Sequence, residues 1–324
     1  MSLLAASLAL LADGKFHSDN EISQILGIPC KLVSKFLKRI LDPTINLEIK
    51  NNSHFRILDG LELLDAALIY NKLANTKQLL TQLDVLTVID STNNYLLEKI
   101  KYTGNYAVFA EQQTAGRGQF DRKWITSFGK NICLSLLWHF PNQANKLAGL
   151  SLVVGIAVAK ALEQYGLKNI QLKWPNDIVH QEKKLAGVLI ESRSIHTKTY
   201  AAVIGIGLNL YTPSTSSQII DQAITDVYSL QGSPPQRNLL AALILKNLLS
   251  LLFEFQSKEF AYFLPDWQRF DSLLDKPIKL LSPIASRVGI ARGVNTKGQL
   301  CVLIEKKIHY FDNGEIRVKL KPSG

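Results

Sequence analysis

Cysteine is scarce. Cys30, Cys133 and Cys301 are the only three in 324 residues, and they form no CxxC pair and no Cys/His cluster. That spacing argues against a disulfide framework or a structural zinc site and fits a reducing compartment. No apolar run is long enough to span a bilayer. The opening stretch MSLLAASLALLADGKF has no basic residue ahead of its apolar part. With Leu3, Leu4, Leu8 and Leu11 at helical spacing, it reads as a helix rather than a secretory signal. A cytoplasmic chain without a membrane role is expected. Internal repeats and low-complexity tracts are also missing. What remains is 47% hydrophobic and 20% charged, enough for a sizeable core and unlike a disordered chain. Its length calls for two or three domains.

The formal net charge of +10 raises the question of nucleic acid, but its distribution matters more. Residues 1–56 hold seven Lys and Arg against five Asp and Glu, whereas residues 277–324 hold nine against three. Most of the excess therefore lies far from the segment that looks most like a DNA reader. A basic end can equally attract an acidic protein.

That segment is the first. In HSDNEISQILGIPCKLVSKFLKRIL, Ser18 with Glu21 three residues on is a capping-box signature. Ile22, Ile25 and Leu26 make an apolar stripe, Gly27 breaks the helix, and Val33, Phe36, Leu37 and Ile40 face inward on the next. Lys31, Lys35 and Lys38 share another face of that second helix. NLEIKNNSHFRIL alternates around a polar tip, as a two-stranded wing would. The pattern is that of a winged helix-turn-helix over 1–65, or of a small helical interaction module with a solvated lysine face. A linker helix is expected over 60–80. From about residue 86, strands alternate with helices: LTVIDSTN, NYAVFAEQQ, NICLSLLWHF, IQLKWPNDIVH, KKLAGVLIESRSI and YAAVIGIGLNL read as strands. KLAGLSLVVGIAVAKALEQYG and RNLLAALILKNLLSLLFEF read as helices, the former apolar nearly all round. This gives an α/β domain over 66–270. The remainder, 271–324, is short strands between turns such as NTKG and DNGE, a small SH3-like β-barrel.

Several loops carry chemistry-bearing residues. TAGRGQFDRKW (114–124) follows a strand, where Gly116 and Gly118 permit φ > 0 and close backbone approach, and Arg117 offers a planar fork of donors. It is neither a P-loop nor a Rossmann fingerprint. On local grounds it is as readily an ordinary charged turn. KWPNDI sets Lys173, Asn176 and Asp177 around a proline; an Asp beside an Asn suits a hydrated Mg²⁺ carrying nucleotide phosphates, or simply a capped bend. Lys184 precedes an apolar strand, where its charge needs a partner, and Gly187 leaves room for a ligand. Ser91, Thr92 and Asn93 could bind a polar head group or cap a helix. Gly205 and Gly207 add a glycine pair near a strand end.

As a set, DSTN, EQQTAGRG…RKW, KWPND, KLAGVLIE and GIGLN resemble the motifs of biotin protein ligases in order and spacing. The resemblance, to the bifunctional type that also represses the biotin operon, runs over nearly the whole chain. It implies a multidomain α/β (α+β) protein whose class II synthetase-like catalytic domain has a mixed sheet. It also implies two half-reactions. Biotin and Mg·ATP give biotinyl-5′-AMP, which then acylates a lysine of the biotin carboxyl carrier protein of acetyl-CoA carboxylase. By resemblance, Ser91, Thr92, Asn93, Gln113, Arg117, Gly118, Gln119, Lys184, Gly187, Gly205 and Gly207 would contact biotin. Arg122, Lys123, Trp124, Lys173, Asn176, Asp177 and Asn209 would serve the nucleotide. Lys184 and Arg117 would be catalytic, Asp177 the metal ligand, and Lys31, Lys35 and Lys38 the contacts to operator DNA. No histidine in these motifs stands out as the base for the acceptor lysine. A ligand-dependent homodimer is implied as well, since a palindromic operator needs two reading heads.

The chain departs from the family in two places. The family loop commonly reads GRGRRGRKW, and here Gln119, Phe120 and Asp121 replace two arginines and a glycine. Loss of the cation at 119, with Arg122 and Lys123 remaining, predicts retained catalysis with weaker hold on the adenylate. In TSSQIIDQAITDVYSL, the family's adenylate-covering loop usually carries an aromatic not found at that place here. Two other functions compete: a ligand-sensing transcription regulator without ligase activity, and a lipoate-protein ligase. The complete motif set disfavours the first; the helix-turn-helix and GRG…RKW disfavour the second.

Overall fold

The computed structural model describes residues 3–41, 45–58, 60–120, 122–141, 147–196, 199–212, 223–281, 286–314 and 316–320. The chain begins with α1 (Leu3–Leu11), a short β1 (His17–Ser18), α2 (Asp19–Leu26) and α3 (Cys30–Ile40), followed by the hairpin β2 (Leu47–Lys50) and β3 (His54–Ile57). Ser18 caps α2 by accepting from the Glu21 N–H, and Gly27 closes it in a left-handed conformation. Asn51 and Asn52 both take positive φ at the hairpin tip, a conformation asparagine tolerates better than most residues. Leu8, Leu11, Ile22, Val33, Leu37 and Phe55 form the core of this unit. Ile25 does not join it: it is 53% exposed, one position off the stripe that Ile22 and Leu26 define. Lys31, Lys35 and Lys38 are exposed on α3.

His17 clasps this unit through Asp13 at 3.0 Å and Glu21 at 2.9 Å. Burial alone would lower its pKa, but the two carboxylates outweigh burial and hold it above the ordinary value. The stabilisation is therefore complete below about pH 6.5 and is lost as pH rises through the higher folded value. His17→Gln should flatten the pH dependence of α2 amide exchange in the full chain, after correction for intrinsic rates. The same slope in both proteins would remove His17 from the account.

The expected linker helix over 60–80 is broken. Residues 61–65 belong to no helix or strand, then α4 (Ala66–Asn71) and a 3₁₀ turn (Ala74–Leu79) follow. The non-helical piece is held by a buried Glu111–Arg237 ion pair, 2.6 Å apart with each side chain 4% exposed. Glu111 also accepts from the Leu64 N–H, and Asn238 donates to Glu62 and Leu63. Such a pair adds little net stability against an apolar replacement, but it fixes where the two units join.

The central sheet comprises β4 (Gln82–Ile89), β5 (Tyr106–Gln113), β6 (Asn131–Pro141), β7 (Gln171–Lys173), β8 (Asp177–His180), β9 (Lys183–His196) and β10 (Thr199–Asn209). Its order is β4-β5-β6-β10-β9-β8-β7, with β4 and β5 parallel and the other neighbours antiparallel, so the sheet is mixed. The stretch expected as one strand, IQLKWPNDIVH, is two. A turn with a cis Trp174–Pro175 bond separates β7 from β8. LTVIDSTN likewise ends as a strand at Ile89, and its STN begins α5 (Thr92–Glu98). One sheet face is covered by α6 (Leu150–Tyr165), α8 (Arg237–Phe255) and α9 (Phe260–Phe270), with the short α7 (Val227–Gln231) between. By length and composition α8 could cross a membrane, but 67% of its apolar window is buried, as in a core helix. Each fully buried Leu or Ile here contributes roughly 1.5–3 kcal/mol.

Strands β11 (Pro277–Leu281), β12 (Ser286–Val294), β13 (Leu300–Ile304), β14 (Lys307–Phe311) and β15 (Arg317–Leu320) form a five-stranded antiparallel sheet. Its inner residues Ile278, Leu280, Ala291 and Val302 are continuous with the central core.

Candidate active site

The strand ends of β4, β5, β6, β8, β9 and β10 meet at one cleft. At its inner end stands the first turn of α5. Ser91 is the N-cap, and Ser91, Thr92 and Asn93 are 1–4% exposed. The Thr92 N–H and hydroxyl both donate to Gln113 Oε1, at 2.8 and 3.0 Å. Ser135 Oγ, on β6, lies 2.8 Å from Thr92 Oγ1 and 2.6 Å from Asn93 Oδ1. The STN stretch caps a helix and also lines the cleft.

The 114–124 loop closes one side as a hairpin. Gly118 N–H donates to Arg122 O, and Trp124 N–H to Gly116 O. Neither Gly116 nor Gly118 takes positive φ; the left-handed residue is Phe120, at φ 56. Gly116 is needed for space, because a Cβ there would stand 2.4 Å from Trp124 O, whereas Gly118 has room. Arg117 reaches across the cleft to Glu191 on β9, with paired contacts of 3.0 and 2.6 Å. Glu191 accepts from Asn93 Nδ2 at 2.8 Å as well, tying the loop to the α5 turn. A guanidinium so placed can be exchanged from carboxylate to phosphate. Gln119 lines the cleft mouth. Asp121 lies outside the described residues.

On the opposite wall, Lys184 Nζ is 2.6 Å from Asp177 Oδ1, with the two side chains 18% and 16% exposed. Asn176 exchanges hydrogen bonds with the Val188 backbone, locking the turn onto β9. The Trp124 indole spans the floor over Gly207 and Gly187, neighbours across β10 and β9. Its Nε1 is buried with no partner among the described residues, and Lys184 Nζ lies 5.7 Å from the ring centroid. Gly205 makes room for Asn93 in the same way.

Two expected nucleotide contacts, Asn209 and Lys173, do not line the cleft. Asn209 is held by Asn131 and donates to Thr225 O, behind Lys184, whose backbone pairs with 223–225. Lys173 faces Asp177 across the β7–β8 hairpin rather than the cleft. Burial lowers its pKa, opposed by Asp177 and reinforced by Lys184. Trp124, also expected to serve the nucleotide, does line the cleft. Arg122 and Lys123 are exposed and border an adjoining outer cleft with Phe120 and Glu191. Residues 213–222, which include the first half of the segment in which a covering loop is expected, lie outside the described residues. Sequence reasoning missed Ser135 and Glu191. The available signals were a serine in the middle of an apolar central strand and an acid directly after the apolar run of β9.

A family model described as the biotin/lipoate A/B protein ligase family matches residues 85–209. The chain is 33% identical over 318 residues to the bifunctional ligase/repressor BirA of Escherichia coli strain K12, covering 96% of each chain. It is 28% identical over 245 residues to the biotin–[acetyl-CoA-carboxylase] ligase of Mycobacterium tuberculosis, covering 72% of this chain and 88% of that one. Among solved structures, the biotin protein ligase from Aquifex aeolicus in complex with biotin and ATP superposes with a TM-score of 0.64 at 30% identity. That match covers 74% of this chain and 100% of the other.

Proposed function

The chain belongs to the biotin/lipoate A/B protein ligase family, and from that premise we propose that it is a biotin protein ligase. It activates biotin with ATP to biotinyl-5′-AMP and transfers the biotinyl group to a lysine of a biotin carboxyl carrier protein. One observation carries this reading: a polar cluster, a loop arginine and an ion-paired lysine from four separate segments face one cleft. The cluster of Ser91, Thr92, Asn93, Gln113 and Ser135 offers the donors and acceptors a ureido ring requires. The biotin carboxylate oxygen attacks the α-phosphorus, pyrophosphate leaves, and Lys184 stabilises the charge that develops there. Arg117 and the Gly118 backbone shield the mixed anhydride from water. The neutral amine of the acceptor lysine then attacks the carbonyl, AMP leaves, and an amide remains.

Mg²⁺ would enter on the ATP phosphates and offset their charge. Asp177 can give it one carboxylate, and among the described residues no group of three or more His, Cys, Asp or Glu could hold a metal. The other proposed contacts are Gly187, Gly205 and Gly207 for biotin, and Arg122, Lys123, Trp124 and Asn176 for nucleotide. Lys173 and Asn209 support the site from behind. Label transfer to a carrier domain from biotin, compared with lipoate, tests the reading; transfer from lipoate alone, or from neither, overturns it.

A second activity, repression of the biotin operon from the cytoplasm, is favoured by the α3 lysines beside the β2–β3 hairpin. It rests on reading 1–65 as a winged helix-turn-helix, with 66–270 catalytic and 271–324 an SH3-like barrel. Operator binding by a homodimer should then weaken steeply with salt, by roughly a decade per doubling of salt for about four phosphate contacts. An affinity for the chain's own biotin-operon DNA equal to that for random DNA would reduce the unit to a structural module.

A further inference from the structure

The 114–124 loop is fastened from outside the catalytic domain. Gln119 Nε2 donates to Asn313 Oδ1 at 3.4 Å. The Arg317 guanidinium lies over the Phe120 ring, 4.7 Å from its centroid. Asn313 follows β14 and Arg317 opens β15, so both partners belong to the C-terminal sheet. Asn313 Nδ2 also donates to Ser151 Oγ at 3.4 Å, and Ser151 Oγ donates to Pro175 O at 3.2 Å. Pro175 sits in the turn that carries Asn176 and Asp177. The same turn is gripped a second time, because Trp174 Nε1 donates to Gly298 O at 3.1 Å. One sheet thus touches both walls of the cleft, the loop that carries Arg117 and the turn that carries Asp177.

The contacts fall on Gln119 and Phe120, two of the positions at which the chain leaves the GRGRRGRKW pattern. Phe120 holds φ 56, a conformation that a bulky side chain keeps only when its surroundings fix it. The ring is 41% exposed, and the Arg317 guanidinium packs over it.

We propose that Asn313 and Arg317 are positioning residues for the ligase reaction. Through Gln119 and Phe120 they hold the loop in place before ligand arrives and set it in register with the 174–177 turn. The clasp takes over from the missing cation at 119: the loop is ordered by the chain's own C-terminal sheet rather than by charge on the adenylate. Its effect on adenylate retention rests on the ligase reading; the contact itself does not.

The test uses the full chain with Phe120→Ala, Arg317→Ala, the double variant and the conservative Phe120→Tyr. The first readout is the dissociation rate of preformed biotinyl adenylate. The second is tryptic cleavage after Arg122 and Lys123 in the ligand-free chain, with thermal midpoints as a control. An exposed cation–π contact implies roughly two- to fivefold faster dissociation for each alanine variant. The double should be no faster than either single, Phe120→Tyr should match wild type, and loop cleavage should accelerate in parallel at an unchanged midpoint. Effects that multiply in the double, or alanine variants that behave as wild type, overturn the clasp. A wild-type chain that forms no adenylate overturns the ligase reading instead, and the tryptic comparison then decides the clasp by itself.

Discussion

Lys184→Gln should slow adenylate formation by about two to three orders of magnitude, the range seen when a preorganised charge-stabilising donor is removed. The lysine is suited to that work by its setting. Its side chain is only 18% exposed, Asp177 anchors it at 2.6 Å, and Gly187 keeps the space beside it open, since a Cβ there would stand 3.1 Å from Nζ. A point charge held in a partly dehydrated cleft acts more strongly on a developing phosphate charge than one in water. The competing explanation is that Lys184 only balances Asp177. The Lys184→Gln, Asp177→Asn double variant separates the two, because it removes both charges and leaves neither side unpaired. If the ammonium acts on the substrate, biotin-dependent ATP–pyrophosphate exchange stays suppressed in the double. Recovery to near wild-type exchange would reduce the lysine to a structural counter-ion. Transfer from preformed adenylate should be less affected than its formation in the single variant, since the phosphate has by then become part of the leaving group.

Much of this site was legible because its residues announce themselves locally. Gln113, Arg117, Asn176 and Lys184 stand at strand ends, where a polar or charged side chain has no packing reason to be. Strand existence was equally readable from Val, Ile and Leu runs. What escaped was decided by distance in sequence. Glu191 is marked only by following an apolar run, and its partners are remote: it joins Arg117, 74 positions away, to Asn93, 98 away. Ser135 is a single hydroxyl in a buried strand, and only the fold brings α5 against it. Lys173 and Asn209 do not line the cleft. Lys173 pairs with Asp177 across the β7–β8 hairpin and Asn209 gives its amide to Asn131 and Thr225, partners that lie far from the motif or across a turn. The break at Trp174–Pro175 was also hidden, since two short strands and one long one share the same apolar pattern. The linker over 60–80 failed as a helix because Glu62, Leu63 and Leu64 give their backbone and side chains to Arg237, Asn238 and Glu111, a tertiary demand that outweighs local helical periodicity.

The boundaries between units show the same limit from another side. Phe128, four residues beyond Trp124, is buried in the core that Leu8, Val33 and Phe55 form near the N-terminus. Gly129 next to it has positive φ, and a Cβ there would meet Leu61 Cδ1 at 2.7 Å. The cleft loop is therefore anchored at its end in the N-terminal unit and at its centre on the C-terminal sheet. Neither attachment follows from a motif.

Gly207→Ala should raise the KM for biotin by roughly 5- to 150-fold, the equivalent of the 1–3 kcal/mol typical of overpacking a filled site. The added methyl would stand 2.3 Å from Trp124 Cε2 and 2.6 Å from both Cζ2 and Nε1. The indole cannot give way downward, because Gly207 is held between β6 at Cys133 and β9 at Gly187. It must lift into the cleft, toward the space beneath Lys184. Gly155→Ala on α6 is the matched control: its Cβ would meet only the flexible end of Leu172, at 3.3 Å, and alanine is the better helix former. The measurements are biotin KM and the tryptophan emission of both variants with and without biotin. A Gly207→Ala chain with KM within about twofold of wild type and unchanged emission would mean that the indole has room to move, and the floor assigned to Gly207 and Gly187 would have to be abandoned.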